Sequence, residues 1–100
     1  MTFEDRGPQM IVVDASCLYE VVTEGPSAEV VRTSMLASSA LAAPELIDVE
    51  VVSLIRRDSM NGVLHPSRAE IALAELMDWP GDRFTLRPFN ERVWDLRFNV

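Results

Sequence analysis

Lysine is absent from this 100-residue chain: all nine cationic residues are arginine, set against sixteen Asp and Glu, for a formal net charge of −7. An acidic chain of this kind is a poor non-specific binder of nucleic acid, because phosphate contacts and counterion release need a basic surface. It leaves room for an enzyme that meets nucleic acid through a metal ion held between carboxylates. The single cysteine, Cys17, excludes an intramolecular disulfide framework and fits a reducing, cytoplasmic setting. Placed on the first helix, it reads as a packed side chain rather than a catalytic thiol. One histidine, His65, leaves no second imidazole for a zinc site and little support for Ser16, Ser53 or Ser59 as a nucleophile. His65 itself reads as an ordinary loop residue. No apolar run approaches the ~18 residues of a membrane span, no glycine-rich phosphate loop occurs, and Glu4, Asp5, Gly7 and Pro8 break any signal-peptide pattern before the first strand.

What is present suffices for one small α/β domain. The hydrophobic fraction is 48%, enough for a core. Residues 1–9 are polar and read as a flexible lead-in to a domain covering 10–100. The run Met10-Ile11-Val12-Val13-Asp14 reads as a strand buried on both faces, with a helix following to about Val22. Glu24-Gly25-Pro26-Ser27 is a break, and a second helix follows from Ser27 to Ser38. Ala40-Leu41-Ala42 can form a brief strand. Pro44 suits the first position of a long helix, Glu45 to about Met60, with Gly62 beyond its far end. Ser67-Arg68-Ala69-Glu70 has the form of a capping box before a fourth helix, which ends near Trp79-Pro80-Gly81. Phe84 to Arg87 alternates as a strand, and Asn90 can cap a last helix carrying Val93, Trp94 and Leu96. The order β-α-α-β-α-α-β-α indicates layered α/β structure with parallel strands.

Two carboxylates stand out. Asp14 ends the first strand, and ligands of open α/β sheets sit beyond the carboxyl ends of their strands. Glu50 falls between Leu46 and Leu54 at helical spacing, on what reads as an apolar face where a carboxylate is costly unless paired or bound to a cation. Hard divalent cations are held by one or two carboxylates plus water and substrate phosphates. Ser16 can hydrogen-bond the Asp14 carboxylate or a metal-bound water. The plainer alternatives stay open: Asp14 or Ser16 as a helix cap, and Glu50 as a solvated or Arg-paired residue. Trp79, Trp94, Phe84, Phe89 and Phe98 read as core or interface aromatics, since no basic groove accompanies them for base stacking. Glu91 and Asp95 read as exposed helix charges.

Taken together, "MIVVDASCLYEVV", "LAAPELIDVEVVSLIRR" and "FNERVWDLRFNV" resemble the VapC-type PIN-domain ribonuclease toxins over residues 10–100. The resemblance implies a PIN-like α/β/α sandwich with a short parallel sheet and a Mg²⁺- or Mn²⁺-dependent endoribonuclease of a toxin–antitoxin system. It makes Asp14 and Glu50 the catalytic, metal-holding carboxylates and Ser16 their supporting hydroxyl. The implied partners are RNA, a cognate antitoxin and a second copy of the chain in a homodimer. The family's Tyr-Asp-Ala helix and its later acidic residue have no counterpart up to Val100, so the domain reads as C-terminally incomplete. An uncovered sheet edge would then invite self-association. With two of the family's acidic positions filled, the alternative function is a non-catalytic PIN-like interaction module that binds an antitoxin or itself.

Overall fold

The computed structural model describes residues 10–85, and the expected lead-in before Met10 and the last helix from Asn90, with Phe89, Glu91, Trp94, Asp95 and Phe98, lie outside them. Seven elements follow one another: β1 (Met10–Val12), α1 (Ala15–Val22), α2 (Ala28–Leu36), β2 (Ala40–Pro44), α3 (Ile47–Met60), α4 (Pro66–Asp78) and β3 (Asp82–Phe84). The strands form one parallel sheet in the order β1-β2-β3. Met10 pairs with Ala40 and Val12 with Ala42, while Ala42 pairs with Asp82 and Pro44 with Phe84. This is the α/β, PIN-like architecture that the residue pattern and the resemblance predict.

One core holds the layers together. Leu18 and Val22 of α1, Met35 of α2, Ile47, Val51 and Ile55 of α3, and Ala69, Ala72 and Leu76 of α4 close over Val13 and Ala43. The spacing Ile47, Val51, Ile55 is the i, i+4, i+8 stripe of a helix that buries one face. α1 sits at the centre, packed on α2, α3 and α4.

Four details differ from the sequence reading. β1 is not buried on both faces. Ile11 and Val13 turn to the core, whereas Met10 and Val12 are 65% and 58% exposed; β1 is one of the two end strands among the three described. Pro44 closes β2 instead of opening α3. The ladder does not need its missing N–H, because the donor to β3 is the next residue, with Glu45 N–H to Phe84 O at 2.8 Å. The cap of α4 is His65, not Ser67. Pro66 drives the residue before it into extended backbone, which is the conformation an N-cap needs, and His65 Nδ1 accepts the Ser67 N–H at 3.2 Å. The third strand begins earlier than expected, at Asp82, and runs to Phe84; Leu86 and Arg87 of the alternating stretch lie outside the described residues.

The helix ends follow the turn residues. α1 and α3 both close in a Schellman motif, with Gly25 N–H to Glu20 O at 2.9 Å and Val63 N–H to Asp58 O at 2.9 Å. The left-handed position is Gly62 in one (φ 74°) and Glu24 in the other (φ 54°). No helix among the described residues is long and apolar enough to cross a membrane.

Candidate functional site

β1 and β2 run side by side and parallel, so their carboxyl ends lie at one edge of the sheet. Asp14 follows β1 by two residues, and Glu50 lies in the first turn of α3, directly beyond β2. The topology therefore brings both predicted carboxylates to the end of the sheet where α/β proteins place ligands.

Asp14 is the N-cap of α1. Its Oδ1 accepts the Cys17 N–H at 2.8 Å and the Ser16 hydroxyl at 3.0 Å. These bonds, the Cys17 amide foremost, hold its carboxyl below the usual aspartate range, so it is ionised at neutral pH. The predicted cap and the predicted Ser16 contact are thus both present, on one oxygen. Cys17 is half-buried, and its thiol is pushed up by a hydrogen bond to Asp14 and by burial. A raised thiol is protonated and unreactive at neutral pH, which fits the packed side chain expected of it.

Glu50 corrects the sequence reading. It is exposed, and the flanking Leu46 and Val49 are exposed as well. The buried arc of α3 runs through Ile47, Val51 and Ile55, so the argument from a costly buried carboxylate does not apply to Glu50. Its helix-terminal place is favourable in another way: Asp48 and Glu50 both occupy the first turn, where the helix dipole favours negative charge.

The two neighbours have different fates. Asp48 is caught by Arg83 in a two-pronged ion pair, Nη2 to Oδ1 at 2.8 Å and Nε to Oδ2 at 3.1 Å. Glu50 makes no ion pair among the described residues and stays available. Sequence reasoning missed Asp48 and Arg83. The two-residue spacing of Asp48 and Glu50 was visible, but a partner 35 positions away left no local trace. Among the described residues no group of three or more His, Cys, Asp or Glu is placed to hold a metal ion. Asp14 and Glu50 supply two hard oxygen donors, the chemistry that suits a hydrated divalent cation and no soft metal.

The fold is that of a PIN-like α/β domain. The sequence matches no family model, but it is 30% identical over 88 residues to ribonuclease VapC12 of Mycobacterium tuberculosis, covering 88% of this chain and 67% of that protein. Ribonucleases VapC3 and VapC1 of the same organism are each 30% identical over 90 residues, with 66% and 68% of their lengths covered. This chain belongs to the VapC-type PIN-domain ribonuclease toxin family.

Proposed function

We propose that the chain is the toxin of a toxin–antitoxin pair, an endoribonuclease that hydrolyses RNA phosphodiesters with a Mg²⁺ or Mn²⁺ ion held by Asp14 and Glu50. The observation that carries this reading is the arrival of both carboxylates at the carboxyl ends of adjacent parallel strands in a chain of this family. When bound, such an ion supplies an activated water and neutralises charge developing on the phosphate.

The chain's own residues prepare that role. The hydrogen bonds from Cys17 and Ser16 fix the Asp14 carboxylate in its ionised form at the start of α1. Ser16 acts as a positioning hydroxyl, not as a nucleophile. The start of α3 favours Glu50 as an anion. An acidic protein repels RNA over its surface generally, so a cation bound between carboxylates is the point at which a phosphate can be met.

The partners of this reading are RNA and a cognate antitoxin. Self-association as a homodimer is supported by the exposed Met10 and Val12 on end strand β1. The domain is taken to cover 10–100 after a lead-in of nine residues, in the cytoplasm, where Cys17 stays reduced.

Titration calorimetry of Mn²⁺ into the chain, Asp14→Asn and Glu50→Gln tests the site, followed by cleavage of RNA with Mn²⁺ or with EDTA. The expected result is binding that either substitution weakens at least tenfold, and cleavage that EDTA abolishes. Binding indifferent to both substitutions would remove the metal site. A stable antitoxin complex without any cleavage would favour the interaction module instead.

A further inference from the structure

We propose that Arg83 is a positioning residue for Glu50: by gripping Asp48 it fixes the first turn of α3 and thereby the carboxylate offered to the cation. This inference rests on the reading of Glu50 as a metal-holding residue.

The argument begins with what α3 lacks. Its N-cap position is Leu46, whose side chain makes no capping bond. The first turn of a helix has unpaired N–H groups, and without a cap it frays. Glu50 closes that turn, its own N–H bonding Leu46 O at 3.0 Å, so its carboxylate moves with the uncapped residues before it. A carboxylate on a fraying turn is spread over many positions, and a cation between two carboxylates needs each within a few tenths of an ångström.

Arg83 supplies the missing restraint from outside the helix. Its guanidinium forks onto both oxygens of Asp48. Its remaining edge donates from Nη1 to the carbonyls of Trp79 at 3.0 Å and Gly81 at 2.7 Å. Its face lies over the Trp79 ring, 4.9 Å from the centroid. The group is therefore held on an edge, a fork and a face, and it cannot follow Asp48 outward. Through it the end of α4, the turn before β3 and the start of α3 become one unit. The backbone repeats the restraint just upstream, where Glu45 N–H bonds Phe84 O.

The same fork explains why the two acidic residues of this turn differ in role. Both Asp48 oxygens are taken by Arg83, so Asp48 anchors while Glu50, two residues on, is left for the ion. Residues that orient a metal ligand without touching the metal typically change affinity ten- to a hundredfold.

The test uses the full chain with Mn²⁺ alone as the probe. Affinity is measured by calorimetry well below the unfolding midpoint, and amide hydrogen exchange is followed over residues 47–50. Arg83→Met and Asp48→Asn should each weaken Mn²⁺ by about tenfold and speed exchange in that turn. Arg83→Lys should recover only part of the affinity, since an ammonium carries the charge without the fork. Asp48→Asn keeps the side-chain shape and decides the matter if Arg83→Met does not fold. Binding that depends on Glu50 but is unchanged in Asp48→Asn and Arg83→Lys, with only the unfolding midpoint lowered, overturns the positioning role alone. Binding that ignores Glu50→Gln overturns the metal reading and the role of Arg83 with it.

Discussion

Asp14 accepts the backbone N–H of Cys17 at 2.8 Å, so the carboxylate that ends β1 is also the cap that starts α1. The two readings open to this residue, helix cap and cation ligand, are compatible because both call for the same ionised, exposed carboxylate. They can be separated by substitution. Asp14→Ala removes the cap and should cost about 1 kcal/mol of stability, read from the urea midpoint. Asp14→Asn keeps a cap-forming oxygen and should leave the midpoint nearly in place while weakening Mn²⁺ binding. An equal loss of stability in both variants would show that the charge, not the cap, is what the fold uses.

The same bonds give stability a pH dependence of known sign. The folded-state pKa of Asp14 is lowered, so between that value and the ordinary one, about 4, the unfolded chain binds more protons than the folded one. The contribution is complete above the ordinary value and disappears as pH falls through the folded value. Asp58, lowered by the Tyr19 hydroxyl, adds to the trend with the same sign. Urea midpoints measured downward from pH 6 should fall less steeply in Asp14→Ala than in the parent chain.

Tyr19 is the one tyrosine of the sequence, which makes its titration directly visible in the ultraviolet. It is a half-buried residue of α1 and donates its hydroxyl to Asp58 Oδ2 of α3. Burial, then the bond to Asp58, pushes its pKa up to about 12. Phenolate absorbance should therefore rise near pH 12, with unfolding close behind. Stability from this group is full below the ordinary tyrosine value of about 10 and is lost as pH rises through the folded one. In Asp58→Asn the phenolate should appear at lower pH; no change would mean burial alone sets the shift.

Gly81 carries the turn that delivers Arg83, and the Trp79 indole occupies the space a Cβ would take there. Gly81→Ala must displace that ring from beneath the guanidinium, and should cost about 1–3 kcal/mol as overpacking does. In a Trp79→Ala background the same substitution should be much cheaper. Additive losses across that double-mutant cycle would place the strain elsewhere.

The parts of the fold that depend on neighbours in sequence were legible. Ile11-Val12-Val13 announced a strand, Asp14 its end, and Gly62 the close of α3. Where several local signals compete, the constraint on the backbone decides. Ser67 and Glu70 form a good capping box on paper, but Pro66 settles the backbone in favour of His65. On α3, Leu46, Val49 and Val52 are apolar yet exposed, so apolarity surrounds the helix and does not mark its buried arc, from which Glu50 is absent. The site divides in the same way. Asp14 and Ser16 are bound to each other across two residues and could be foreseen, whereas the Asp48–Arg83 pair exists only once β3 has docked.

The strand register has a consequence for how the molecule is made. Each ladder joins residues roughly thirty or forty positions apart, Met10 with Ala40 and Ala42 with Asp82, and such closures are costly in entropy and slow. The helices can form as the chain leaves the ribosome, but the Asp48–Arg83 pair that ties the start of α3 to β3 cannot close until the residues around Phe84 have emerged. Topology therefore makes the docking of β3 on β2, and with it the restraint on the first turn of α3, one of the last events of folding.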